Sequence, residues 1–150
     1  RIEDTVFSLL TAGFVPVITH PERLTWIEEH YPAFKRMVNS GAWIQLTAGS
    51  VTGRFGSRPK YWAERILDEG QCHIIATDSH HIDRRPPLLA EARDAAAKRL
   101  GEQEALHLVV TRPQGILDNA SPGSLPPLPS PVRTVADKKG FWRNLIARKN

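Results

Sequence analysis

Apolar positions along the chain fall into two patterns, a helical period and short continuous runs of strand length. From Ile2 to Ala12, the residues Ile2, Val6, Leu9 and Leu10 fall on one helical face, and Gly13 is a natural stop. Phe14 to Thr19 is a short run rich in Val and Ile and reads as a buried strand. The helical period returns over Pro32 to Ser40 and ends at Gly41, and Ala42 to Thr47 is the next strand. Ser57 is placed to cap a helix with Pro59 in its first turn; Trp62, Ile66 and Leu67 supply its apolar face and Gly70 ends it. His73 to Ala76 is the third strand. Pro86 and Pro87 open a helix through Leu100, with Leu88, Leu89, Ala92, Ala96 and Leu100 facing inward. A last helical pair covers about Glu102 to Val110 and Pro113 to Leu117. Strands alternating with helices imply parallel strands joined by crossovers, so the class is α/β. Three strands do not close a barrel. The sheet is either open and small or part of a larger barrel, and the second reading is favoured.

The pattern changes at Ala120. Five of the chain's 12 prolines lie between Pro122 and Pro131, mixed with Ser, Gly and Leu. Residues 120–135 read as an extended linker without a packed core. Residues 136–150 form a basic tail in which Phe141, Trp142, Leu145 and Ile146 sit at helical spacing. Such a tail can dock on an anionic membrane surface, with a solvated, frayed tail as the alternative. Residues 1–119 are left as the folded domain.

Charge sharpens that division. Residues 121–150 hold Arg133, Lys138, Lys139, Arg143, Arg148 and Lys149 against Asp137, a net +5, while residues 1–120 carry −1. The basic isoelectric point therefore belongs to the tail, and the body has no nucleic-acid footprint. No apolar run approaches the roughly 20 residues that span a bilayer. Cys72 is the lone cysteine, so no internal disulfide forms and a reducing compartment is expected. Asp78 stands where a Cys-x5-Arg phosphate loop would need arginine, so Cys72 reads as a small core hydrophobe.

The candidate chemistry lies at strand ends. Asp78 and His80 close the third strand, and at i and i+2 of an extended chain they point the same way. One oxygen and one nitrogen aimed at a common centre suit a divalent metal; a capping Asp beside a solvated His is the alternative. His20 closes the first strand, on the same C-terminal face of the sheet. Arg23, Arg84 and Arg85 follow shortly after these residues, and a planar guanidinium fork clamps two phosphate oxygens. Ordinary ion pairs, Arg23 with Glu22 or Glu28 and Arg84 with Asp83, are the competing account. A metal at such a site lowers the pKa of bound water, so a metal-bound hydroxide is the expected nucleophile. The run Gly49 to Gly56 lacks the Lys-Ser/Thr of a nucleotide loop. It reads as a glycine-shaped loop beside the site, with Ser50 and Arg54 as substrate contacts, or as a bare turn.

Together these segments resemble a known family. Thr19-His20-Pro21-Glu22-Arg23, Gln45 through Gly56, and Ala76-Thr77-Asp78-Ser79-His80 with Arg85-Pro86-Pro87 are similar to the capsular polysaccharide tyrosine phosphatases of the CpsB/CapC type. These belong to the polymerase and histidinol phosphatase (PHP) superfamily. Thr111 to Asn119 resembles the closing Asn-Pro-x-x-Ile-Leu segment, with Thr-Arg in place of the usual start. The resemblance covers residues 2–119, in order. It implies part of a distorted (β/α) barrel with a divalent metal cluster, most often Mn2+, with Fe2+, Co2+ and Zn2+ as alternatives. It implies His20, Asp78 and His80 as metal ligands, and Arg23 and Arg85 as groups that bind phosphate and stabilise the transition state. The implied substrate is a phosphotyrosine protein, the tyrosine kinase that controls exopolysaccharide assembly. The implied location is cytoplasmic, with contact to the inner face of the plasma membrane and a homo-oligomeric state both left open.

One departure qualifies these expectations. The family begins with a strand carrying His-x-His, and no His-x-His occurs in this chain. The chain thus resembles the C-terminal half of a member, for which weak metal binding and little or no activity alone are expected. Two other readings stay open: a PHP phosphatase of small phosphomonoesters such as histidinol phosphate, and a non-catalytic binding module recruited through its basic tail.

Overall fold

The computed structural model describes residues 2–132. The first helix, α1 (Ile2–Thr11), buries Val6, while Ile2 and Leu9 stay substantially exposed. A strand, β1 (Val17–Thr19), follows. Helix α2 (Ile27–Asn39) begins five residues before the start that Pro32 suggests. Ile27, Tyr31, Phe34 and Val38 recur at intervals of four, three and four, and all four are buried. Burying Ile27 and Tyr31 is worth about 1.5–3 kcal/mol per side chain, which offsets the hydrogen bond Pro32 cannot donate.

Strand β2 (Trp43–Thr47) leads directly into a one-turn helix, α3 (Ala48–Val51), where the sequence suggests an open glycine loop. Helix α4 (Ser57–Asp68) buries Trp62, Ala63, Ile66 and Leu67. Gly56, at φ +100°, occupies the cap position expected for Ser57, which is the first helical residue. Strand β3 (Ile74–Ala76) is followed by an irregular loop to Leu89. Helix α5 (Ala90–Leu100) therefore starts later than Pro86 and Pro87 suggest, and Leu88 is exposed. Helix α6 (Glu102–Leu106), a π-helical turn (His107–Thr111) and α7 (Arg112–Leu117) run on without a break.

The three strands form one parallel sheet in the order β1-β2-β3, which establishes the α/β class. Val17 pairs with Trp43 and Thr19 with Gln45; on the other side Gln45 pairs with Ile74 and Thr47 with Ala76. All five residues of central β2 are buried. The expected burial of the first strand is not found: among the described residues β1 pairs on one side only, and Phe14, Val15 and Val17 are exposed. Ile44, Leu46 and Ile75 from the sheet meet Ile27 and Phe34 of α2 and Ile66 of α4 in one core.

The described part of the proline-rich segment contains a 3-10 turn at Pro122–Ser124 and packs on the domain. Leu128 lies against the core, and the Val132 N–H donates to the Asp68 carbonyl at 2.7 Å. Prolines offer carbonyl acceptors without N–H donors. Arg112, fully buried, supplies the donors: Nε to the Pro126 carbonyl at 3.1 Å and Nη2 to that of Pro127 at 2.8 Å. The same guanidinium forms a two-pronged pair with Glu104 (2.7 and 3.1 Å) and reaches the His73 carbonyl at 3.3 Å. The basic tail of residues 136–150, with its membrane reading, lies outside the described residues. Among those described, no helix is long and apolar enough to cross a membrane.

Candidate active site

The parallel sheet brings the ends of β1, β2 and β3 to one face. His20 follows β1 at φ +39°, a left-handed conformation that is uncommon outside glycine, and its N–H donates to the Gln45 carbonyl at 2.8 Å. Pro21–Arg23 then form a 3-10 turn closed by the Arg23 and Leu24 N–H groups. Glu22 anchors this turn. It is fully buried, and its Oε1 accepts the Thr47 N–H at 3.0 Å, tying the turn to the end of β2. Burial pushes the Glu22 carboxyl up from its ordinary value, against the opposing pull of that hydrogen bond. Its other oxygen and the hydroxyls of Thr47 and Ser50 are buried without a partner among the described residues.

Asp78 is the centre of the site. It adopts φ +50°, so the extended geometry expected of Asp-x-His does not hold; a turn, not strand alternation, brings His80 back to it. His80 Nε2 lies 3.0 Å from Asp78 Oδ1. Asp78 Oδ2 accepts from Arg23 Nη1 at 2.7 Å and from Arg85 Nη2 at 2.5 Å, and Arg85 Nη2 also reaches the Asp78 carbonyl at 2.7 Å. Partial burial pushes the Asp78 carboxyl up, but the hydrogen bonds and charges of Arg85 and His80 prevail and hold it below the usual range. Arg23 thus pairs with Asp78, 55 residues away, and not with Glu22 or Glu28.

The site carries two guanidiniums on one carboxylate, and an excess of positive charge suits an anion. Arg23 and Arg85 keep about a third of their side-chain surface exposed. Arg85 Nε has no partner among the described residues. Phe55 lies beside both, with its ring centroid 5.2 Å from the Arg23 guanidinium carbon and 5.5 Å from that of Arg85. Arg54 pairs with Glu91 at 3.5 Å and, with Phe55, Arg84 and Arg85, lines a small cavity beside the site. Ser50, the other expected substrate contact, is fully buried.

The donor set bears on the expected metal. Strands β1 and β3 flank β2, so about 10 Å separates the backbones that carry His20 and Asp78. Arg23 bridges that gap; the imidazole of His20 makes no hydrogen bond or ion pair with Asp78 or His80 among the described residues. Asp78 Oδ1 and His80 Nε2 converge, but no three His, Cys, Asp or Glu residues do so among those described. Two donors are fewer than the roughly four to six a divalent ion takes. The described residues therefore bring two guanidiniums together on one carboxylate and converge two candidate metal donors.

Of the residues the sequence singled out, the structure brings Arg23, Asp78, His80 and Arg85 together and leaves His20 apart; sequence reasoning gave no role to Glu22 or Phe55. A Glu directly after His-Pro could have been read as buried, because the turn that Pro21 imposes folds it under the sheet edge.

The family model for capsular polysaccharide synthesis, CpsB/CapC, matches residues 1–118. Tyrosine-protein phosphatase CpsB of Streptococcus agalactiae is 30% identical over 123 residues, covering 79% of this chain and 51% of the relative. Tyrosine-protein phosphatase YwqE of Bacillus subtilis is 31% identical over 127 residues, covering 85% and 50%. A chain from the crystal structures of YwqE from Bacillus subtilis and CpsB from Streptococcus pneumoniae, described as metal-dependent tyrosine phosphatases, superposes with a TM-score of 0.77. It is 29% identical, and the match covers 89% of this chain and 53% of that one. The chain spans about half the length of these relatives.

Proposed function

Because the chain belongs to the CpsB/CapC family of capsular polysaccharide synthesis, we propose that it forms part of a metal-dependent protein-tyrosine phosphatase. The substrate on this reading is a phosphotyrosine protein, the tyrosine kinase that controls capsule or exopolysaccharide assembly. The observation that carries the proposal is the convergence of Arg23 and Arg85 on Asp78 at the C-terminal ends of parallel strands.

In that site Asp78 holds the two guanidiniums side by side through one carboxylate oxygen, leaving further N–H donors for a phosphate. Donors fixed in this way stabilise charge on the transferring group without reorganising during the reaction. His20 and Asp78, each left-handed in backbone, follow two strands of the same parallel sheet, which supports the reading. His20, Asp78 and His80 would be this chain's contribution to a divalent metal cluster, with manganese the favoured ion. When bound, such ions supply Lewis acidity and acidify a coordinated water. Arg54, at the rim, contacts the protein substrate on this reading. The (β/α) barrel of the PHP type, of which this sheet would be a portion, completes the proposal.

The test is manganese-dependent hydrolysis of a phosphotyrosine peptide, by the chain alone and extended to family length, each beside Asp78→Ala. Activity in the family-length protein that Asp78→Ala abolishes is expected. Inactivity of both folded proteins would overturn the enzyme reading in favour of a binding module. Faster turnover of histidinol phosphate would move the substrate to small phosphomonoesters.

A further inference from the structure

Phe55 lies in a loop whose geometry serves the arginine pair. Its N–H donates to the Gly49 carbonyl at 3.1 Å, closing the loop so that the ring folds back over Gly49. The ring tip occupies the space a side chain at Gly49 would need: a Cβ there would stand 2.7–2.9 Å from three ring carbons. Gly49 has no left-handed backbone to explain its identity, so the close approach of Phe55 is its physical requirement. The ring is half-buried, with both guanidiniums within cation–π range. Arg23 comes from the turn after β1 and Arg85 from the loop after β3, so no local chain geometry holds these like charges together. Asp78 neutralises one charge; the electron-rich ring is a second attractive surface shared by both.

We propose that Phe55, seated on Gly49, is a positioning residue of the anion site that holds Arg23 and Arg85 in register for a phosphate. The proposal rests on the reading of Arg23 and Arg85 as the phosphate grip. Phe55 acts through the arginines and touches no reacting atom.

The experiment titrates inorganic phosphate into the chain and its Phe55→Leu and Arg23→Gln variants by calorimetry. In parallel, 1H–15N spectra record the Nε–Hε resonances of Arg23 and Arg85. In the wild type those resonances should carry an upfield ring-current shift that reports the ring's placement beside both guanidiniums. Phe55→Leu should lose that shift and bind phosphate about tenfold more weakly, the scale of a partly desolvated cation–π contact. Phe55→Met, of similar length and without a π face, repeats the test should the leucine variant not fold. If Arg23→Gln abolishes phosphate binding while Phe55→Leu and Phe55→Met bind like wild type, the Phe55 inference fails and the phosphate grip stands. If the wild type binds no phosphate, or Arg23→Gln binds as well as wild type, the grip fails and takes the Phe55 inference with it.

Discussion

Acidification should weaken the fold through His73. This residue is 8% exposed and its ring stacks on Trp43, with centroids 4.9 Å apart and planes 15° from parallel. Its Nδ1 accepts the Ile44 N–H at 3.1 Å, so the native ring is neutral with its proton on Nε2. Burial, and then the positive charge of Arg112, push the imidazole from 6.5 down to about 4. Between those values the unfolded chain takes up a proton that the folded chain refuses, so stability falls as pH falls. The loss is about 2 kcal/mol between pH 7.5 and 5 and about 3 kcal/mol once pH is below 4. Glu22 works in the opposite direction, because its raised carboxyl binds a proton more readily folded than unfolded. The effect is therefore read as a difference of differences. Urea unfolding of wild type and His73→Asn, each at pH 7.5 and 5, supplies it. Asn keeps an acceptor near the Nδ1 position and does not titrate. The wild type should lose about 2 kcal/mol more than the variant over this interval. Losses equal to within about 0.5 kcal/mol would refute the assignment of His73 as a buried, neutral acceptor.

Two further outcomes follow from the docking of the proline-rich segment. Arg112→Met removes the donors to Glu104 and to the carbonyls of His73, Pro126 and Pro127. It should cost about 3–5 kcal/mol in urea unfolding, because the Glu104 charge is left buried and unpaired. Gly70→Ala places a Cβ against the Pro129 carbonyl at φ +63°, a backbone that costs about 1–2 kcal/mol for a residue with a side chain. It should speed amide exchange at Val132, whose N–H bonds to Asp68.

Much of the architecture was legible because its signals are local. Short apolar runs and period-3.6 stretches, broken by Gly13, Gly41, Gly70 and Gly101, located three strands and most of the helices. Strand ends carrying His20 and Asp78 with nearby arginines were legible for the same reason, since parallel order puts such ends on one face. The misreadings share a different cause. Pro32 reads as a helix start, yet buried partners of Ile27 and Tyr31 carry α2 past it. Phe14 and Val15 read as buried, yet they lie beside an edge strand paired on one side.

The sequence by itself determined the α/β class, the parallel order and the residue types at the strand ends, because spacing and side-chain chemistry act within a few residues. Only the tertiary structure decided which groups meet. It turned Asp78 out of the extended conformation and delivered Arg23 to it from across β2. It also sank Ser50 and Glu22 beneath the site and bound the prolines to Arg112. Each of those outcomes depends on a partner distant in the chain, and a long-range contact leaves no period in the sequence to read.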